Sequence, residues 1–387
     1  MARILRWEPP RLHVGAESGE AKVTSVDLFY DLVFAVVIAQ LATTLAEDIS
    51  PAGLFTFVVL AIPAIRLWIS QTLYSDRFEA LDVSYRLFVF SAMLPAAGLA
   101  VAAPTGLGAG FALYATSVAL GRIVLVGQWV RSGRHEPAVM PLAIRYLIFY
   151  SAESVLWIAG IFVSGSTRLL LVGLAIIADL VLPLTTTRRQ GQLGEFSQEH
   201  LGDRFGAFFL IVLGQLVIVA ILIMTRLHTP SPADLVAGGI SFALAFVLWW
   251  IYVDHVVGRA LRGGPSWNAA WVYLHIPLFM SAAAVGSGVF TFVTRGEQIV
   301  PDPARLLLCV SFGIAVLFAG LAEMTLVPLR HEEGRIVRFA LVHGVPAALS
   351  VLLGVLGHGM YAIPLMLVLL VIGLIALVSG EYLRAPS

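Results

Sequence analysis

Ionisable side chains stand inside stretches otherwise composed for lipid: Asp31, Arg66, Arg122, Glu153, Asp179, Asp254, His275, Glu323 and His343. At the centre of a bilayer such a group costs about 2.5–3.5 kcal/mol on insertion scales, so its retention points to an ion or solute site, a proton path or a buried ion pair. Asp27 and Asp31 open the first apolar run four residues apart. Thr24 with Asp27 three residues later has the spacing of a capping box, in which the carboxylate satisfies free N–H groups at a helix start. Asp31 lies a full turn deeper, beyond the reach of capping or of the helix dipole. Arg66, at similar depth on the next apolar run, is its expected partner, as a structural salt bridge or as part of an ion or substrate site. His275 and His343 can relay protons near neutral pH or bridge helices by hydrogen bonds. His275 also stands two residues before Pro277, which frees a carbonyl one turn back. In the central polar stretch Arg204, Phe208, Ile211 and Gln215 recur at i, i+4, i+7 and i+11, which places the base and the amide on one helix face. Glu195, Glu199, His200 and Asp203 match no firm ligand spacing. No metal, cofactor or catalytic residue is expected.

The elements that must hold these groups follow from composition. Hydrophobic residues make up 59% of 387 and charged residues 12%, against about 25% charged in a soluble domain. A bilayer-spanning helix needs about 20 mostly apolar residues. Such runs recur near 26–46, 52–73, 84–103, 108–130, 141–163, 168–186, 205–226, 233–256, 268–293, 304–328, 336–357 and 360–383. The expected fold class is an all-α polytopic membrane protein of about twelve transmembrane helices. Lysine plus arginine balance aspartate plus glutamate at 24 each, so charge argues against a nucleic-acid partner. The lone Cys309 excludes an intrachain disulfide. Residues 1–25 lack an apolar signal core and are expected to form a cytoplasmic segment, with the first span serving as insertion signal.

Basic residues give the orientation. Arg11, Arg77, Arg131, Arg188, Arg189, Arg259 and Arg335 belong to one side, whereas the other holds Arg168, Arg226, Arg295 and Arg305. Positive charge marks the cytoplasmic face, so both termini are expected inside, in a bacterial inner membrane. On that orientation most of the buried charges lie in the cytoplasmic half of their helices, with Glu153 nearest the middle.

The polar stretch 187–204 is expected to be a cytoplasmic linker between a first six-helix unit, 26–186, and a second, 205–384. "DLFYDLVFAVVIAQL" answers "DRFGAFFLIVLGQL", and "RYLIFY" answers "RFALVH". Six spans per unit would give two parallel repeats about an axis along the membrane normal. Small-residue runs such as "SAAAVGSG" at 281–288 mark close helix packing, and Trp249, Trp250 and Tyr252 are expected as interface anchors.

"VTSVDLFYDLVFAVVIAQL", then "HLGDRFGAFFLIVLGQ" and "YLHIPL" in that order, resemble the bacterial low temperature requirement protein A family over nearly the whole chain. The motif positions are Asp27, Phe29, Tyr30, Asp31, His200, Asp203, Arg204, Phe205 and Gly206. Asp27, Tyr30, Asp203 and Gln215 depart from the family's Glu, Phe, Glu and Glu, and at Gln215 an ionisable group has become neutral. The resemblance implies a polytopic inner-membrane protein named for growth in the cold. Three function classes stay open. A secondary transporter or channel would use the charged pocket, including Gln215, for a small solute or ion. A non-transporting sensor or membrane-stability factor would not. A membrane-embedded enzyme is disfavoured, because no nucleophile triad, H-E-x-x-H, P-loop or dinucleotide glycine pattern is present. The lipid bilayer is the one partner common to all three.

Overall fold

The structure is a computed structural model describing residues 9–12, 24–79, 82–194, 198–226, 231–259, 264–294, 302–326 and 334–382. Hydrocarbon offers no partners for backbone N–H and C=O groups, so apolar runs of this length fold as helices that satisfy their own backbone. Among the described residues twelve helices are long and apolar enough to cross a membrane. A short β1 (Arg11–Leu12) is followed by α1 (Ser25–Glu47), α2 (Pro51–Arg77) and β2 (Phe78–Glu79). Then come α3 (Val83–Ala102), α4 (Phe111–His135), α5 (Met140–Ile161), α6 (Gly165–Gln192) and α7 (Gln198–Arg226). The remaining helices are α8 (Pro232–His255), α9 (Pro265–Thr294), α10 (Asp302–Met324), α11 (Arg335–Phe339), α12 (Val345–Leu356) and α13 (Ala362–Tyr382). A π-helical turn, Ala340–Gly344, joins α11 to α12 within one span. β1 pairs antiparallel with β2, Leu12 opposite Phe78.

One expected segment holds more helix than its polar composition suggests, and another lies mostly outside the described residues. The stretch 187–204 is helical at both ends: α6 continues through Gln192, tolerating Gly191 in its last turn, and α7 already begins at Gln198. Of the expected N-terminal segment 1–25, all but 9–12 and 24–25 lies outside the described residues.

The chain divides into two compact units, one of Met1–Leu41, Phe55–Arg204 and Gly263–Ala269, the other of Ala42–Leu54, Phe205–Arg262 and Ala270–Ser387. In the first, α4 packs on α3 and α5, and α5 on α6. Gly121 of α4 sits where a Cβ would lie 2.9 Å from a side-chain methyl of Leu67 of α2, so a methyl there would displace the Leu67 side chain. In the second, α10 packs on α8 and α12, and α8 on α13. The small-residue run on α9 does bring helices close, since a Cβ on Gly288 would meet the Leu308 backbone of α10 at 3.0 Å.

Polar side chains inside these helices close onto their own backbone. Ser70, Ser154 and Ser241 donate to the carbonyls of Arg66, Tyr150 and Ala237 at 2.7–2.8 Å. That removes the cost of burying an unpaired hydroxyl. The interior also holds buried charged side chains.

Candidate functional site

In the first unit α1, α2 and α7 converge on the Asp31 carboxylate. Asp31 is wholly buried. Its Oδ1 accepts from Trp68 Nε1 and from Arg204 Nη2, each at 2.7 Å. Arg204 also lies 2.9 Å from Asp27 Oδ1. Asp27 closes the expected capping box, its Oδ2 accepting from the Thr24 amide at 3.2 Å while its own amide donates to Thr24 Oγ1. It receives Tyr85 Oη–H at 2.5 Å as well. As ionised groups, two carboxylates therefore share one guanidinium. Among the described residues Asp31 Oδ2 is buried with no hydrogen-bond partner, which is a costly arrangement for a carboxylate.

A second network in the same unit is balanced. Arg122 lies 2.8 Å from Glu153 and 2.5 Å from Asp179, and Arg66 lies 3.2 Å from Asp179. Two bases meet two acids, and all four side chains are at most 2% exposed. Tyr150 stacks its ring under Arg122, 4.7 Å from the guanidinium carbon. Removal of any one member would leave an uncompensated buried charge.

The expected pairing of Asp31 with Arg66 is thus corrected. Equal depth on consecutive helices did not select the partner: Arg66 turns to Asp179 on α6, and Asp31 takes Arg204 at the start of α7. His200, expected in a surface linker, is buried and reaches Asp76 of α2 at 2.9 Å. Asp203 beside it is exposed.

The second unit holds the remaining candidates. Glu323 on α10 directs Oε2 to His343 Nε2 at 3.1 Å and Oε1 to Arg259 at 2.7 Å. Arg338 closes on the same Oε1. His343 is carried by the π-helical turn. Against it, at a ring-centroid distance of 4.7 Å, stands His255 of α8. His255, Glu323 and His343 are the described residues able to hold a metal ion together.

His275 is tied at both nitrogens, to Tyr252 Oη at 2.9 Å and to the Trp271 carbonyl at 2.7 Å. Phe205, Trp271 and Phe279 wall it in, an arrangement that serves packing. Tyr252 is accordingly an interior residue rather than the interface anchor expected of it. Gln215 is buried, its Nε2 without a hydrogen-bond partner. Asp254 is half-buried and accepts from Trp250 on its own helix at 3.0 Å. Its backbone carbonyl accepts from Arg259 Nη2 at 2.8 Å, the arginine that also engages Glu323, while its neighbour His255 is the residue that enters the cluster. Of the motif residues, Phe29 is 55% exposed whereas Tyr30 and Asp31 are buried. Gly206 leaves room for Val257, which a Cβ would meet at 3.3 Å.

Sequence reasoning missed Trp68, Asp76, His255, Arg259 and Arg338 as partners. For His255 a signal existed, because Leu248, Tyr252 and His255 recur at i, i+4 and i+7 and share the buried face of α8. Arg259 and Arg338 lie near the ends of spans, where basic residues normally report only orientation.

A curated relative, the uncharacterised protein RA0937 of Rhizobium meliloti (strain 1021), is 26% identical over 293 residues, covering 71% of this chain and 69% of that protein. The model of the family described as bacterial low temperature requirement A protein (LtrA) matches residues 22–378. The motifs that hold the Asp31–Arg204 pair lie inside that match, and the chain is a bacterial multi-pass membrane protein that belongs to the low temperature requirement A family.

Proposed function

We propose that this protein is a secondary transporter or channel in which Asp31, Asp27 and Arg204 handle a proton or a small cation. The observation that carries the reading is the unequal stoichiometry of the triad, with Asp31 Oδ2 left unpartnered. A buried pair of carboxylates on one guanidinium is one positive charge short, and a proton or monovalent cation on Asp31 supplies it. Intramembrane carboxylates of this kind mark ion and proton paths. The reading also takes both termini as cytoplasmic in the inner membrane, the charged groups as lying in the cytoplasmic half, and residues 26–186 and 205–384 as repeats. The presence of six spans mostly within each unit supports the last of these.

A second reading, a non-transporting membrane-stability factor or sensor for growth in the cold, draws on a different observation. The Arg66, Arg122, Glu153 and Asp179 network matches two bases with two acids, as expected of groups that fix helix packing.

The chain reconstituted in proteoliposomes with an internal pH-sensitive dye tests the choice. Proton, sodium or potassium flux that is lost in Asp31→Asn, at unchanged folded yield, is the expected result. Wild-type protein that restores cold growth to a deletion strain yet moves none of these ions would overturn transport in favour of the second reading. A topology reporter fused after Ser387 checks orientation and should be active only in the cytoplasm.

A further inference from the structure

We propose that His255, Glu323 and His343 form a binding site for a divalent transition metal ion of the zinc class. Each offers one ligand atom, and these atoms lie within 4.8 Å of one another at buried positions on three segments: α8, α10 and the π-helical turn. Tetrahedral ligands at about 2.0–2.1 Å from a zinc ion stand about 3.4 Å apart, so side-chain rotation of an ångström or so closes the set. Two imidazoles and one carboxylate suit zinc, cobalt and their neighbours rather than calcium or magnesium, which take oxygen ligands. The set leaves a coordination position open, as metal sites with three protein ligands do.

Three features beyond the cluster favour a built site. The first is the tautomer of His255. Its Nδ1 lies 2.8 Å from the Ile251 carbonyl, and a carbonyl can only accept. Nδ1 therefore carries the hydrogen, and the lone pair of the neutral ring is at Nε2. This is the outer-shell hydrogen bond that orients metal-ligating histidines.

The second feature is space made by glycines. A Cβ on Gly320 would collide with the His343 ring, and one on Gly380 would lie 2.8 Å from His255 Nε2. Both imidazoles thus occupy volume that α10 and α13 leave by having no side chain there. The third is the π-helical turn itself. An i→i+5 turn inside a helix is rare and concentrates at functional sites, and here it carries a ligand.

Arg259 and Arg338 bear on the chemistry rather than on the ligand set. Both engage Glu323 Oε1, so Oε2 is the oxygen turned to the histidines. Their positive charge opposes the metal ion itself, so the site would rely on the two imidazoles and on an anionic fourth ligand, hydroxide or a small inorganic anion, in preference to neutral water. The inference is independent of transport, because none of these residues belongs to the Asp31 triad.

The test is Co2+ binding to the full chain, purified in detergent without a histidine tag and freed of metal by a chelator. Co2+ alone should bind with near-unit stoichiometry and give the visible absorption of a low-symmetry nitrogen and oxygen site, and Zn2+ should displace it. His255→Ala and His343→Ala should each weaken binding more than about 100-fold, since outer-shell changes alone cost about 10–100-fold. Gly320→Ala should weaken it too by displacing His343. Wild-type protein that binds no Co2+ would overturn the site whether or not any variant folds. So would unchanged binding in a folded His255→Ala, His343→Ala double variant.

Discussion

The two charged clusters around Asp31 and Glu323 are mirror images in stoichiometry. In the first unit two carboxylates share one guanidinium, whereas in the second two guanidiniums share one carboxylate. Surroundings differ in the same sense. Arg204 is 1% exposed, whereas Arg259 and Arg338 are 11% and 22% exposed. A buried excess of negative charge has no solvent to spread into, so it calls for a cation or proton at Asp31. An excess of positive charge at a partly wet rim is tolerated, and it engages Glu323 through Oε1. The groups available to a ligand there are Glu323 Oε2 and the two imidazoles. Charge balance, more than the presence of charge, separates the roles, and the neutral Arg66, Arg122, Glu153 and Asp179 network stands between the two extremes.

The largest expected effect breaks the first cluster. Arg204→Gln strands two carboxylates at buried positions, and loss of one partner of a buried ion pair costs about 3–5 kcal/mol. Folded yield and melting temperature in detergent should collapse. Asp31→Asn added to it should restore part of the loss, and the same change alone should cost less than Arg204→Gln, because Asp27 keeps the guanidinium paired. Equal losses from Arg204→Gln and Asp31→Asn would show that the triad is not short of positive charge. Next comes Glu323→Gln. Its arginines can turn to water, so only charge-assisted hydrogen bonds are forfeited, about 1.5–3 kcal/mol each at most and less where exposed. Its melting temperature should fall clearly less than that of Arg204→Gln. A larger fall would reverse the comparison.

The difference between the clusters also explains what could be read without coordinates. Spans were legible because apolar runs act locally: each satisfies its own backbone in lipid, and the twelve expected runs correspond to twelve helices. The Thr24–Asp27 cap was legible for the same reason, since its partners are three residues apart. Ion-pair partners were not. Arg204 lies 173 residues from Asp31, and Asp179 lies 113 from Arg66. Which helices meet depends on side-chain fit at many contacts, and depth along consecutive helices says nothing of it. The π-helical turn that carries His343 has no sequence signature in the apolar run around it, so the second cluster could be assembled only from coordinates.

A smaller effect sharpens the second cluster. Gly320→Ala forces a methyl against His343 and should cost about 1–3 kcal/mol, the usual range for overpacking a core. The loss should be read as a lower melting temperature, while Gly173→Ala, where a Cβ meets nothing within 4 Å, should leave the melting temperature unchanged or raised. A Gly320→Ala protein as stable as Gly173→Ala would mean that His343 moves freely, and the pocket would then not hold its imidazole in place.

The smallest effect is expected at Asp203, and it tests how the family motif should be read. The residue stands in the motif next to Arg204, yet it is exposed while Arg204 is buried. An exposed carboxylate in the second turn of α7 lies past the turn where the helix dipole acts, so it gains less than the about 0.3–1 kcal/mol available at a helix N-terminus. Asp203→Asn should therefore shift stability by no more than this and leave ion flux unchanged, whereas Arg204→Gln removes folded protein. Two neighbours in one motif would then differ because one side chain is committed to the Asp31 triad and the other faces outward. The informative failure is a stable Asp203→Asn protein that loses flux or cold growth. That would assign Asp203 to a contact outside the folded chain, and the motif would carry a surface role in addition to the buried one.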